Sequence, residues 1–210
     1  LISDPVQTNV LSGREGENGP VLVVKIDDTA NARPQVGLEF ADVVYIEQVE
    51  GGLTRLAAVF SSNIPVRIGP VRSARISDID LLGQYGQVAF AYSGAQHKLL
   101  PVIAAAKLSD VGAMKRGPAF YETDPNRIQP YAMFLNAQLL MANEVEKGTT
   151  IDTAKNVGWN FSQKMENKGF EISDVTIHWP AQKYSASWDT ASKRWFLNVN
   201  SEPDLSDLGN

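Results

Sequence analysis

The sequence predicts an α/β domain, a mixed sheet with flanking helices, followed by the start of a β-rich C-terminal domain. Three observations carry this reading. Short continuous apolar runs at 21–26, 41–50 and 87–94 are separated by stretches of helical composition. After about residue 169 the texture changes to short strand-like runs with aromatics. The chain has 210 residues, 43% of them hydrophobic and 20% charged, enough apolar material for a substantial core. The expected division is a linker over 1–20, an α/β domain over 21–168, and the opening of a second domain over 169–210.

The elements follow in order. The first twenty residues are polar and rich in Gly, Asn and Glu, the composition of a linker. VLVVKI (21–26) suits a strand buried on both faces. ADVVYIEQVE (41–50) and GGLTRLAAVFSS (51–62) predict a hairpin turning at Gly51-Gly52, because glycine accepts the positive φ of tight primed turns. A two-residue turn there sets Glu50 opposite Leu53, Gln48 opposite Arg55 and Glu47 opposite Leu56. Pro70 is expected to open a helix over 70–83. QVAFAYSG (87–94) reads as another buried strand. Residues 95–107 have helical composition, with Pro101 starting or kinking the helix. Residues 131–147 read as a helix stopped by Gly148. In the last third, 171–179, 182–188 and 193–199 read as strands, with the WDTASKRW stretch turning between the last two.

Counting excludes several roles. Nineteen Lys and Arg against 24 Asp and Glu give a net charge of −5, the wrong sign for a general nucleic-acid binder. No apolar run approaches the roughly 20 residues that span a bilayer. There is no Cys and there are only two His, which leaves no Cys-based or His-rich metal site. No G-x-G-x-x-G or Walker loop occurs, so neither a cofactor nor a metal is expected.

Arginine is the clearest chemical signal. Four of the nine Arg fall between 55 and 75 (Arg55, Arg67, Arg72, Arg75), and no Lys occurs between Lys25 and Lys98. Arg offers a planar fork that fits carboxylate or phosphate, where Lys is a point charge. Arg72 and Arg75 would share a face of the expected helix, near its free N–H groups, and at least two of the four arginines are expected to converge on one concave anion site. The competing reading is internal ion pairing with Asp27, Asp42, Glu47, Glu50, Asp78 or Asp80. Carboxylates at strand ends (Asp27, Asp28, Glu47, Glu50) could form an acid and base pair, or begin a turn and pair with Arg55. His97 lies near Ser93 but outside any nucleophile elbow, and His178 sits in a strand-like run; both read as structural or surface residues.

The string VKIDDTANARPQVGLEFADVVYIEQVEGGLTRLAAVF, followed by IGPVRSAR, resembles the YerB-like bacterial lipoproteins, whose domain has no assigned function. The resemblance covers about 20–140, and the later β-rich stretch is similar to the start of the family's C-terminal domain. It implies an exported protein, extracytoplasmic and tethered by a lipid on an N-terminal Cys. That Cys is absent here, which fits a chain starting downstream of it, so contact with a membrane is expected only through that anchor. Family members often carry Arg followed by Pro-His-Asn or Pro-Tyr-Asn. This chain has Arg127 and Pro130-Tyr131-Ala132, with Ala132 in place of the Asn. The motif residues carried over are Asp27, Arg33, Gln35, Glu47, Glu50, Gly51, Gly52, Arg55, Gly69, Arg72, Ser73 and Arg75.

Two functional classes follow. The first is a non-catalytic binding or regulatory module for an anionic ligand, a cell-wall glycan or an envelope protein. Its expected ligand-binding set is Asp27, Arg33, Glu47, Glu50, Arg55, Arg67, Arg72, Ser73 and Arg75. The second is an envelope hydrolase acting on a glycan, with Glu47 or Asp27 as acid or base.

Overall fold

The computed structural model describes residues 7–162 and 169–204. Its centre is β1 (Leu22–Asp27), all six residues of which are buried. This strand lies antiparallel to β3 (Thr54–Phe60) on one side. On the other it runs parallel to β5 (Val88–Ala91). With β2 (Val43–Gln48) beyond β3 and β6 (Leu108–Asp110) beyond β5, the mixed sheet has the order β2-β3-β1-β5-β6. The continuous apolar run of β1 is explained by cover on both faces. Leu22, Val24 and Ile26 join Leu56, Phe60 and Ala91 in one core. Val21 and Val23 join Ala57, Val59 and Phe90 in the other.

Helices supply the cover. α1 (Ser77–Gly83) and α2 (Leu100–Ala105) place Leu82 and Ile103 in the second core. α4 (Ala137–Glu146) places Leu140 and Met141 in the first. The remaining elements of this part are β4 (Arg67–Ile68), the short α3 (Ala113–Arg116), β7 (Tyr121–Thr123) and β8 (Met133–Asn136). They include a three-stranded sheet of order β4-β8-β7, which the sequence reading did not anticipate. A four-stranded antiparallel sheet follows, made of β9 (Asp174–Trp179), β10 (Gln182–Asp189), β11 (Arg194–Val199) and β12 (Glu202–Pro203), in the order β12-β11-β10-β9. The mixed sheet with helices and the β-rich continuation are thus as the sequence predicts. The expected division at 168/169 falls next to 163–168, outside the described residues.

Several local expectations are corrected. The helix expected over 70–83 begins only at Ser77. Residues 71–74 are instead extended, spliced between two strand ends. Arg72 N donates to the Lys25 carbonyl (2.8 Å), Ser93 N to the Arg72 carbonyl (3.0 Å) and Ala74 N to the Gly94 carbonyl (2.9 Å). Arg72 and Arg75 therefore do not share a helix face. The helix expected over 131–147 is split. Met133–Asn136 pairs as a strand with β4 and β7, and Asn136 then caps α4, its side chain accepting from Leu139 N at 3.3 Å. Gly148 ends that helix region with φ +68°, as expected. Within 95–107 the helix proper is Leu100–Ala105, with Pro101 in its first turn.

The hairpin between β2 and β3 exists, but its turn is longer than two residues. Val49 N donates to the Leu53 carbonyl (2.7 Å), with Gly51 and Gly52 at φ +69° and +74° inside the loop. The register accordingly moves by one, so Glu47 rather than Gln48 faces Arg55. Residues 7–20, expected as linker, pack against the domain. Leu11 is buried, and Asp42 accepts hydrogen bonds from Ser12 Oγ, Ser61 N, Ser62 N and Ser62 Oγ. Arg14 bonds to the Ala41 carbonyl beside them.

Candidate functional site

Strand alternation places charge at one end of the sheet. On β1, Lys25 and Asp27 continue the face begun by Val21 and Val23. On β3, Arg55 precedes Ala57 and Val59 on that same face, and on β2 Glu47 lies directly opposite Arg55. The splice at 71–75 then delivers Arg72, Ser73 and Arg75 to this end. Loop 93–98 joins it, because Ser93 and Gly94 bond to the splice. The cluster therefore sits at the carboxyl ends of the two central parallel strands, β1 and β5. Open α/β sheets hold ligands in that position.

The ion pairs are specific. Arg72 Nε donates to Asp27 Oδ2 at 2.7 Å, and Thr29 occupies Asp27 Oδ1 through its N–H (2.8 Å) and hydroxyl (2.6 Å). Arg75 Nε and Nη2 converge on Glu50 Oε2 at 2.9 and 2.7 Å. Lys25, fully buried, reaches Glu47 Oε1 (2.5 Å) and Asp78 Oδ1 (2.7 Å), and Ser77 Oγ donates to Glu47 Oε2 at 2.6 Å. Burial pushes the Asp78 carboxyl up to about 6; Lys25 opposes the rise and Glu47 adds to it. Glu50 is held below its ordinary value, chiefly by its hydrogen bonds from Arg75.

Arg55 differs from its neighbours. It is 8% exposed and donates from Nη1 to the Ser73 carbonyl at 2.9 Å. Among the described residues no carboxylate lies within ion-pair distance of it. Burial, followed by the charges of Arg75 and Arg72, lowers its guanidinium to about 10.

A second polar cluster occupies the opposite face of β1. Asp28, fully buried, accepts from Arg33 Nη2 (2.5 Å) and Tyr184 Oη (2.6 Å) on one oxygen. On the other it accepts from Thr54 Oγ1 (2.5 Å) and Gln182 Nε2 (2.6 Å). Burial raises Asp28 above its ordinary value despite these donors. Tyr184 and Gln182 come from β10, and Ala181 N adds a backbone bond to the Gly52 carbonyl (3.1 Å). This cluster joins the mixed five-stranded sheet to the four-stranded antiparallel sheet.

The structure therefore divides the expected ligand-binding set. Asp27, Glu47, Glu50, Arg55, Arg72, Ser73 and Arg75 meet at one end of the mixed sheet. Arg33 belongs to the Asp28 cluster. Arg67 is elsewhere, paired with Glu122 (2.6 Å) and Asp124 (2.9 Å) and lying over the Phe134 ring. The ion-pairing alternative describes Arg72 and Arg75; Arg55 is the exception. The set omitted Lys25, Asp78 and Asp28. Lys25 had a visible signal, since it is the one charge in an apolar run that is otherwise buried. Among the described residues no group of three or more His, Asp or Glu side chains could hold a metal ion.

A cleft of about 230 Å³ opens beside Arg75, lined also by Glu50, Ala74, Ile76, Gln96, Lys98, Leu99 and Val102. A larger one of about 320 Å³ lies away from the arginine cluster, between the β2 edge, Arg14 and Leu197.

Residues 8–150 match a family described as protein of unknown function (DUF3048), N-terminal domain. A 59-residue stretch is 49% identical to YerB of Bacillus subtilis (strain 168), named as a candidate lipoprotein; the stretch covers 28% of this chain and 18% of that protein. The fold resembles the crystal structure of the YerB protein from Bacillus subtilis, with a TM-score of 0.75 and 20% identity over 94% of this chain and 68% of the other.

Proposed function

The chain belongs to the DUF3048 N-terminal domain family, whose description assigns no reaction, and on that premise we propose that it is a non-catalytic binding module for an anionic group. The proposed setting is the cell envelope outside the cytoplasmic membrane, to which the lipoprotein name of its Bacillus relative points. The observation that carries the binding reading is Arg55. A buried cation with no carboxylate in direct contact is costly; Asp27 and Glu50 act on it only from further off, and the two neighbouring guanidiniums add to the cost. Asp27 and Glu50 are already engaged by Arg72 and Arg75. An arriving anion would complete the charge balance, and Arg55 offers it a planar fork.

The hydrolase alternative finds less support. Asp27 has Thr29 on one oxygen and Arg72 on the other, and Glu47 has Lys25 and Ser77. Both carboxylates thus have a donor on each oxygen, an arrangement that suits charge pairing better than an acid/base role.

Titration of the chain with inorganic phosphate, followed by amide chemical shifts, tests the reading. Shifts should concentrate at residues 55 and 72–75. Arg55→Lys keeps the charge but loses the fork, and should weaken binding about tenfold. An unchanged affinity in a variant that is still folded would remove Arg55 from any site and leave it a role in the fold.

A further inference from the structure

The cleft beside Arg75 combines features that one kind of ligand would use together. Ala74, Ile76, Leu99 and Val102 form an apolar wall. Ile76 and Val102 leave 62% and 39% of their surface exposed. Lys98 and Arg75 contribute two positive charges and Glu50 one negative, in a protein whose net charge is −5. The Glu50 side chain, bonded to Arg75, is 58% exposed, so an incoming carboxylate would compete with a solvated partner for the Arg75 fork. Gln96 adds a solvated amide on the rim.

From these features we propose that the cleft receives the C-terminal carboxylate of a peptide whose last side chain is apolar. The carboxylate would lie against Lys98 and Arg75, the side chain against Ile76, Leu99 and Val102, and the last peptide group beside Gln96. Size supports this occupant. The cleft, at about 230 Å³, suits a small occupant such as one side chain and its carboxylate. Sites for larger ligands run from about 300 to 1,000 Å³. The proposal rests on the anion-binding reading in that Arg75 serves both, but the two are separable, since Arg55 does not line the cleft.

The test uses four probes on the full chain: N-acetyl-leucine, its C-terminal amide, acetate and inorganic phosphate. N-acetyl-leucine should shift amides at 74–76 and 96–102. The amide probe lacks the charge and acetate lacks the side chain, so each should bind at least about tenfold more weakly. Lys98→Gln should weaken N-acetyl-leucine about tenfold, and Val102→Ser about fivefold. Both residues are at the surface, so the melting temperature should hardly move. Phosphate binding should be sensitive to Arg55→Lys and indifferent to Val102→Ser. Equal affinity for the acid and its amide would overturn the proposal. So would an unchanged affinity in Lys98→Gln, or no saturable shift up to about 20 mM, a concentration that would reveal even millimolar binding. If Arg55→Lys leaves phosphate binding intact while Lys98→Gln abolishes that of N-acetyl-leucine, the earlier reading falls and this one stands.

Discussion

Lys25 is the residue on which the charged end of the sheet depends. It is fully buried between Glu47 and Asp78, and no apolar neighbour could hold those two carboxylates side by side. The consequence is measurable through Asp78. Its folded form, titrating at about 6, takes up a proton more readily than the unfolded chain, where an aspartate has its ordinary value of 3.8. This group therefore adds stability as pH falls from about 7 to about 4, the reverse of a carboxylate whose value is lowered on folding. Asp28, also raised, acts in the same direction, while Glu50 and Glu144 act against it. Subtraction isolates the effect. The stability difference between wild type and Asp78→Asn, measured by urea denaturation at pH 4, 5, 6 and 7, should change by about 1–3 kcal/mol across that range. A difference that stays flat would mean that Asp78 is not raised. In the sequence, Lys25 could be seen as an anomaly in an apolar run. Asp78 could not, because its burial depends on where the 71–75 segment ends.

At the scale of elements, the β2–β3 loop shows how two glycines can differ. Both have positive φ. A Cβ at Gly51 would meet nothing within 4 Å, whereas one at Gly52 would come within 2.6 Å of Pro180 Cβ. Gly51→Ala should therefore cost about 1 kcal/mol from backbone strain alone. Gly52→Val adds a β-branched side chain and a collision with the second sheet, and should cost about 2–4 kcal/mol. Thermal melts of the two variants check the order; equal melting temperatures would contradict the close approach. The strands were legible because runs such as 21–26 are buried on both faces. Their register was not, since a turn of two residues and one of five share the same Gly-Gly signal, and the difference moved Arg55 from Gln48 to Glu47. The 70–76 stretch carries a helix-opening Pro, but the backbone groups of residues 70–74 pair with Lys25 and Asp27 of β1, Met133 of β8 and Ser93-Gly94 just after β5, partners that are remote in sequence. Met133–Asn136 was hidden for a related reason: a short apolar run fits a strand or a buried helix equally well.

For the whole molecule, the Asp28 cluster links the mixed sheet to the four-stranded sheet of β9–β12. Tyr184 Oη donates to Asp28 and accepts from Arg33 at 2.9 Å, so its hydroxyl serves two buried charges. Tyr184→Phe should leave both short of a partner and cost about 1–3 kcal/mol. Hydrogen exchange should then speed up across β9–β11 while β1 stays protected. Uniform acceleration of both sheets would show that they unfold as one unit regardless of this contact. Little of the cluster was legible in the sequence. Arg33 stands out by its motif, and Asp28 reads either as a strand-end carboxylate of an acid/base pair or as a turn residue, but their partners on β10 lie more than 150 positions away.

The clamp made by Asp42 has a mechanical meaning. It fastens residues 9–14 to the start of the β3–β4 connection, beside the end of the sheet where Leu22 faces Phe60. The charged cluster lies at the other end of β1, roughly 20 Å away at about 3.3 Å per residue. A pull applied on the N-terminal side of Asn9 would load serine hydroxyls, an asparagine amide and Arg14 before reaching the central strand. Strain would be absorbed at the edge of the sheet, and the arginines would keep their spacing under tension. If the chain is tethered on its N-terminal side, as the proposed envelope setting has it, the arginine cluster stands at the end of the sheet away from that tether.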